Sequence, residues 1–258
     1  MPLHRFLALA LCTLALTTHG FELQGHRGAR GLMPENTLAA FERALEIGVS
    51  TLELDIAITA DGVPVISHDT ALNPALTRDA QGQWIKAPGP LIKSLTLEQL
   101  QAFDVGRLDP ASAYGREFPL QQARDGQRVP TLAALFKLVK EQSADSVQFA
   151  IETKLHPGRP DDTLGPQAFV EVLLKVIREA GMTQRVRIIS FDWRTLQLVQ
   201  KLEPAMETVC ITLESAQGTN LGNRTMMAGL LLRDFPSAAH MVKASGGAVW
   251  SPNFASID

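Results

Sequence analysis

The chain has 258 residues, 45% of them hydrophobic and 20% charged, an ordinary globular composition with enough apolar material for one large core. Its formal net charge of -3 supplies none of the basic field that draws proteins onto nucleic acid, which argues against DNA or RNA as a partner.

At the N-terminus, His4 and Arg5 precede an apolar run from Phe6 to Leu16. The run is shorter than the ~20 residues a membrane-spanning helix needs and matches the ~7–15 of a signal-peptide core. Residues 1–20 therefore read as a secretory leader cut before Phe21, which predicts an exported protein, periplasmic or secreted, with no stable membrane span once mature. A buried N-terminal helix is the alternative. A lipoprotein reading through Cys12 is weaker, because Leu11 is too large for the residue before a lipidated cysteine. Removing the leader leaves Cys210 alone, so no intramolecular disulfide is expected and the fold must rest on its core. Cys210, within Glu207–Thr212, reads as a small core residue on a strand.

Strand and helix periods then alternate. Phe21–Gln24 is a predicted short strand. Asn36 is a candidate N-cap for an amphipathic helix over Thr37–Ile47, with Leu38, Phe41, Leu45 and Gly48 at helical spacing. Thr51–Thr59 is a strand, Asp61-Gly62 a turn, and Val63–Ser67 a short hairpin partner. From Thr70 to Arg128 the pattern dissolves into Pro, Gly, Gln and charge, with only Leu97–Phe103 helical, which marks an insertion such as a lid or substrate wall. Regularity returns with a helix capped by Thr131 and running to Lys140, then strand Val147–Ile151, helix Pro166–Ala180, strand Val186–Ile189, helix Trp193–Lys201, strand Glu207–Thr212, helix Pro236–Ala244 and a strand from Ala248 to Trp250. Repeated strand–helix units with β-branched strands predict an α/β fold, a parallel sheet of about six core strands covered by helices.

Glu53 and Asp55 lie two apart on a strand, so their side chains leave the same face while Leu52, Leu54 and Ile56 face the other way. Two neighbouring acids inside a core are tolerable mainly when a cation lies between them; an exposed, solvated strand face is the plain alternative. Glu152 and Lys154 end a later strand and add a third carboxylate and a cation at the end where parallel sheets bind ligands. Three carboxylates without a nearby cysteine form a hard, all-oxygen site suited to Ca²⁺ or Mg²⁺. His26 and His68 each follow a strand and are candidates for proton donor and acceptor. Gly25, Gly28 and Gly31 would let backbone approach a ligand, and Arg27 offers a planar fork for phosphate oxygens. The combination suggests an enzyme that cuts a phosphodiester. His156, in a Pro/Gly loop, reads as solvated and His240 as structural.

In order, His26-Arg27-Gly28-Ala29, Pro34-Glu35-Asn36-Thr37, Glu53-Leu54-Asp55, Asp61 to Asp69 and Glu152-Thr153-Lys154 resemble the glycerophosphodiester phosphodiesterases, with weaker similarity at Ser190-Phe191 and Ser251-Pro252. The resemblance implies a TIM (β/α)8-type barrel over residues 21–258, with the 70–128 insertion after its second strand unit. It also implies a divalent metal and hydrolysis of small-molecule glycerophosphodiesters to glycerol 3-phosphate and an alcohol. By position, His26 and His68 are implied to be acid and base, Glu53, Asp55 and Glu152 to hold the metal, and Arg27 and Lys154 to contact phosphate. The family continues beyond the Ser-Pro strand, so the barrel is expected to be incomplete here, its last two βα units missing. Two other readings follow: a related phospholipase D acting on intact lipid, and an inactive binding remnant of the same fold.

Overall fold

The computed structural model describes residues 21–215 and 218–254. The expected leader therefore lies outside the described residues.

The chain opens with β1 (Gln24–His26), α1 (Leu38–Ile47), β2 (Thr51–Ile58) and β3 (Pro64–Ile66). The predicted strand at Phe21–Gln24 is displaced. Phe21 is exposed, whereas Gln24, Gly25 and His26 pair with Thr51, Leu52 and Glu53, so pairing with β2 sets where the strand lies. The N-cap of α1 is Thr37, whose hydroxyl accepts from the Ala40 N–H, and not Asn36, whose backbone is left-handed and whose side chain is engaged elsewhere. β3 folds back antiparallel on β2, pairing Ile56 with Ile66, as the hairpin pattern predicted.

Residues 70–128 carry only short helices, among them α2 (Leu97–Leu100) and α3 (Ala113–Glu117). Then follow α4 (Leu132–Glu141), β4 (Gln148–Thr153), α5 (Pro166–Glu179), β5 (Val186–Ser190), α6 (Trp193–Leu202) and β6 (Thr208–Thr212). A two-stranded ribbon that no sequence period announced, β7 (Glu214–Ser215) with β8 (Gly218–Thr219), precedes α7 (Ala238–Ala244) and β9 (Val249–Pro252). Six strands run parallel in the order β1-β2-β4-β5-β6-β9, with β3 as an antiparallel branch on β2. This is the α/β architecture expected from the alternating periods, a partial barrel six strands wide. No helix among the described residues is long and apolar enough to cross a membrane.

Alternation along the strands separates two cores. Leu52, Leu54, Ile56 and Ile58 of β2, Phe149 and Ile151 of β4, Ile188 of β5 and Cys210 of β6 join the helix side chains Phe41, Leu135, Phe136, Leu173 and Trp193 in the main apolar cluster. The opposite face holds Ala150, Ile189 and Val209 in a small cluster of their own. Ala57, also on that face, packs with Val65, Leu72, Ile92, Leu100 and Val129. The insertion thus has its own apolar nucleus and is seated against the inner face of β2, beside the position of Asp55 two residues earlier.

Candidate active site

Register brings the acids together. Asp55 on β2 lies beside Glu152 on β4, and His26 at the end of β1 lies beside Glu53. One oxygen from each of Glu53, Asp55 and Glu152 lies within 4.8 Å of the others, and all three side chains are buried. Burial, with Asp55 and Glu152 beside it, pushes the Glu53 carboxyl well above the usual range. Glu152 is likewise raised, burial outweighing the help of Lys154. Asp55 stays low: burial opposes its charge, but Lys154, His68 and Arg27 outweigh burial. Lys154 Nζ is 2.8 Å from Glu152 Oε1 and 3.4 Å from Asp55 Oδ1, and Arg27 Nε is 3.4 Å from Asp55 Oδ2. Two cations therefore share three buried acids, a set that a hard divalent cation would complete with oxygen ligands alone.

The loop between β1 and α1 is fixed by unusual backbone. Arg27 is left-handed at φ 55°, a conformation costing a non-glycine residue on the order of 1–2 kcal/mol. It turns the Arg27 N–H onto Glu53 Oε2 at 2.8 Å, while the Arg27 carbonyl accepts from the Asn36 N–H at 3.0 Å. Gly28, at φ 79°, has no room for a Cβ, which would sit 2.7 Å from the Ala40 backbone; at Gly25 a Cβ would meet Ala44 at 3.1 Å. These two glycines let the loop press against α1, a close approach of backbone to helix that the sequence reading did not include. A further carboxylate, Glu35, accepts from Arg27 Nη1 at 2.8 Å and from the Tyr114 hydroxyl. Burial works against the Arg27 charge, but Asp55 and Glu35 overcome it and hold the guanidinium pKa above its ordinary value. Asn36 Nδ2 donates to Asp55 Oδ2 at 3.1 Å.

The two histidines meet opposite neighbours. His26 Nε2 is 3.8 Å from Glu53 Oε2, and its Nδ1 receives Arg30 Nη2 at 3.0 Å. Partial burial and the charges of Arg30 and Arg27 push its pKa down to about 4. His68 Nδ1 is 3.0 Å from Asp69 Oδ1, and Asp69 Oδ2 accepts from Asn73 Nδ2 at 2.8 Å. Although burial opposes the Asp69 charge, these two donors keep it ionised, its pKa below the ordinary value. An ionised carboxylate only accepts, so His68 Nδ1 carries a proton in this contact.

Beside this cluster opens a cleft of about 850 Å³, lined by His68, Glu152, Lys154, Arg159, Phe191 and Asn223 among others. The seven residues singled out from sequence thus reach one end of the sheet: the three acids converge, Arg27 and Lys154 pair with them, His26 approaches Glu53, and His68 lines the cleft with Glu152 and Lys154. Arg27 and Lys154, expected to meet phosphate, are turned toward carboxylates in this structure. His156 lies on the cleft wall with an exposed side chain, and His240 is exposed on α7 with Nδ1 2.8 Å from the Ser237 hydroxyl.

Sequence reasoning missed the roles of Arg30, Glu35, Asn36, Asp69 and Tyr114. Glu35 and Asn36 lie inside the matched motif and were available as signals. Tyr114 is the sole tyrosine of the chain and lies in the patternless insertion, 87 residues from Arg27, so no local period announces it.

Comparison with known proteins places this geometry. The family model of the glycerophosphoryl diester phosphodiesterase family matches residues 26–244. A glycerophosphodiester phosphodiesterase of Caldanaerobacter subterraneus is 31% identical over 183 residues, covering 70% of this chain and 63% of the relative. The Bacillus subtilis protein YhdW is 30% identical over 187 residues, covering 72% of this chain and 64% of its own length. The chain therefore spans a little under two thirds of the length of these curated relatives. A crystal structure from Silicibacter pomeroyi of the glycerophosphoryl diester phosphodiesterase type superposes with a TM-score of 0.80 at 33% identity, covering 92% of this chain and 76% of that one. With seven site residues gathered at the strand ends and a family match across most of the sequence, the chain belongs to the glycerophosphoryl diester phosphodiesterase family.

Proposed function

We propose that this protein hydrolyses glycerophosphodiesters to glycerol 3-phosphate and an alcohol, with one divalent cation, Ca²⁺ or Mg²⁺, held by Glu53, Asp55 and Glu152. The observation that carries the reading is the convergence of three buried carboxylates within 4.8 Å, flanked by two differently held histidines, in a member of this family. The donor set fits such an ion: it is all oxygen, and burial, with the charge of Asp55 beside them, holds the carboxyls of Glu53 and Glu152 above their usual range. When bound, the cation would supply Lewis-acid polarisation of a phosphoryl oxygen.

The remaining work falls to the chain's own groups. His68, oriented by Asp69 at Nδ1, takes at Nε2 a proton from the attacking water, whose oxygen forms the new bond to phosphorus. His26, held neutral, presents Nε2–H to the oxygen that gains charge as the bond to phosphorus breaks, a use of neutral imidazole that a lowered pKa favours; the alcohol leaves with a proton, balanced by the one that His68 takes from water. Lys154 and Arg27 offset the charge of the acids and, when substrate arrives, face its phosphate oxygens. The apolar run of Phe6 to Leu16 supports an exported enzyme.

The test is release of glycerol 3-phosphate from glycerophosphocholine by folded protein supplied with Ca²⁺ or Mg²⁺. Turnover that disappears on chelation and in His26→Ala is expected. A folded protein that binds the diester without cleaving it, or one whose turnover is unchanged in His26→Ala, rejects the assignment.

A further inference from the structure

We infer that Arg30, clamped by the insertion, is a positioning residue that fixes His26 as its Nε2–H tautomer; the inference deepens the reading above and rests on it for its kinetic consequence. A guanidinium has only donors, so the 3.0 Å contact between Arg30 Nη2 and His26 Nδ1 requires Nδ1 to be the acceptor. The proton of the neutral ring then sits on Nε2, the nitrogen 3.8 Å from Glu53 Oε2. Without Arg30 the imidazole could carry its proton on Nδ1 and turn a bare lone pair toward the acids, where it would repel them and have nothing to donate.

The Arg30 side chain cannot hold this pose by itself, because it sits on a surface loop and has long-chain rotamer freedom to lose. The insertion restrains it from two sides. Arg30 Nη1 donates to the Tyr114 hydroxyl at 3.3 Å, and the guanidinium carbon lies 4.9 Å from the centroid of the Phe118 ring. Tyr114 and Phe118 are themselves packed edge to face at 5.2 Å. Gln121 Nε2 donates to the Arg30 carbonyl at 2.8 Å, and the Gln122 N–H donates to the Leu32 carbonyl at 2.8 Å, which pins the loop backbone as well. The Tyr114 hydroxyl also donates to Glu35, whose other oxygen accepts from Arg27. The α3 segment, remote in sequence, is thereby joined to both arginines of the loop. Arg30, Tyr114, Phe118 and Gln121 do not line the cleft; Arg30 reaches substrate through the orientation of His26, and the Tyr114 hydroxyl reaches Arg27 as well, through Glu35.

The experiment is ¹⁵N-histidine labelling of the full chain with long-range ¹H–¹⁵N correlation at neutral pH, in the presence of Mg²⁺, alongside steady-state kinetics on glycerophosphocholine. The wild-type protein is expected to show His26 protonated at Nε2. In Arg30→Leu, which keeps apolar bulk and removes every donor, the Nδ1–H form is expected to appear and kcat to fall about ten- to hundred-fold with KM changed less than about threefold, the range for a group that orients another. Arg30→Lys is expected to restore most of the Nε2–H signal and part of kcat. Tyr114→Phe keeps Arg30 and should give a smaller shift in the same direction, and it serves as the readout if Arg30→Leu does not fold. An unchanged Nε2–H signal in the Leu variant, or a rise in KM with kcat untouched, overturns the inference. Absence of turnover in the wild-type protein would instead reject the hydrolase reading, while the tautomer signal still decides the role of Arg30.

Discussion

The two faces of β2 and β4 differ in what they ask of the chain. Toward the helices, Leu52, Leu54, Phe149 and Ile151 are fully buried among apolar neighbours, and another apolar side chain of similar volume would serve. Toward the interior, Glu53, Asp55 and Glu152 occupy alternate positions of the same strands, equally buried but mutually repelling and held by Lys154, Arg27 and Asn36. One face stabilises the fold; the other destabilises it locally, with the repulsion available to an incoming cation. Strand alternation places the two demands one residue apart, so neighbouring substitutions should have effects of different kind.

The separation is broken or sharpened by five measurements. On the interior side, His68→Ala is expected to lower turnover by about 10²–10⁴-fold, the contribution of a positioned acid–base group, in protein whose urea midpoint is little changed, and Asp55→Asn by at least ~10²-fold with some loss of stability, because the ionised Asp55 is paired with Lys154 and Arg27. A large stability loss in His68→Ala would merge the two faces. On the helix side, Phe149→Ala removes a ring packed edge to face on Phe136 at 5.0 Å and should cost about 3–5 kcal/mol in urea unfolding, while kcat per folded molecule holds.

Glu53→Gln tests the repulsion directly. The amide resembles the protonated carboxyl that burial favours, so the metal-free variant should melt no lower than wild type. The stabilisation that the proposed cation should give the wild-type protein, about 2.7 kcal/mol at a hundredfold excess over Kd and read as a rise in melting temperature on adding Ca²⁺ or Mg²⁺, should be lost. A destabilised metal-free variant would mean that Glu53 holds the fold as a charge. The smallest effect concerns Cys210, fully buried on the helix side, where burial pushes its thiol up to about 11. A raised pKa keeps the protonated form, so the thiolate fraction at pH 8 is lower than in the unfolded chain. Alkylation mapped to Cys210 should be slow in native protein and fast in denaturant; equal rates would show that this side of the sheet opens readily.

How much of this was legible before the structure depends on the range of the interaction. The alternation in Thr51–Ile58 encodes which side chains are buried together, and it displayed both the hydrophobic face and the paired acids. The motif order placed Glu152, Lys154 and the two histidines at strand ends. What periodicity does not carry is the partner of a side chain in a loop. Asn36 has the residue type of an N-cap, yet the adjacent Thr37 takes that position and leaves Asn36 free to bind Asp55. Arg30 and Tyr114 meet across 84 residues, a contact that depends on how the insertion packs, its Leu72, Ile92 and Leu100 against Ala57 of β2, Val65 of β3 and Val129. The start of β1 was misplaced for a related reason: a three-residue strand is defined by its neighbour, and Phe21 has the composition of a strand without the partner.

The tyrosine hydroxyl that spans from α3 to Glu35 has an evolutionary consequence. Selection can redraw the outer contour of residues 70–128, lengthening or trimming it as the environment of the protein changes, provided the phenol and the few neighbours that grip the same loop still arrive at the same place. Fitness would then constrain those contact points more than the segment's length.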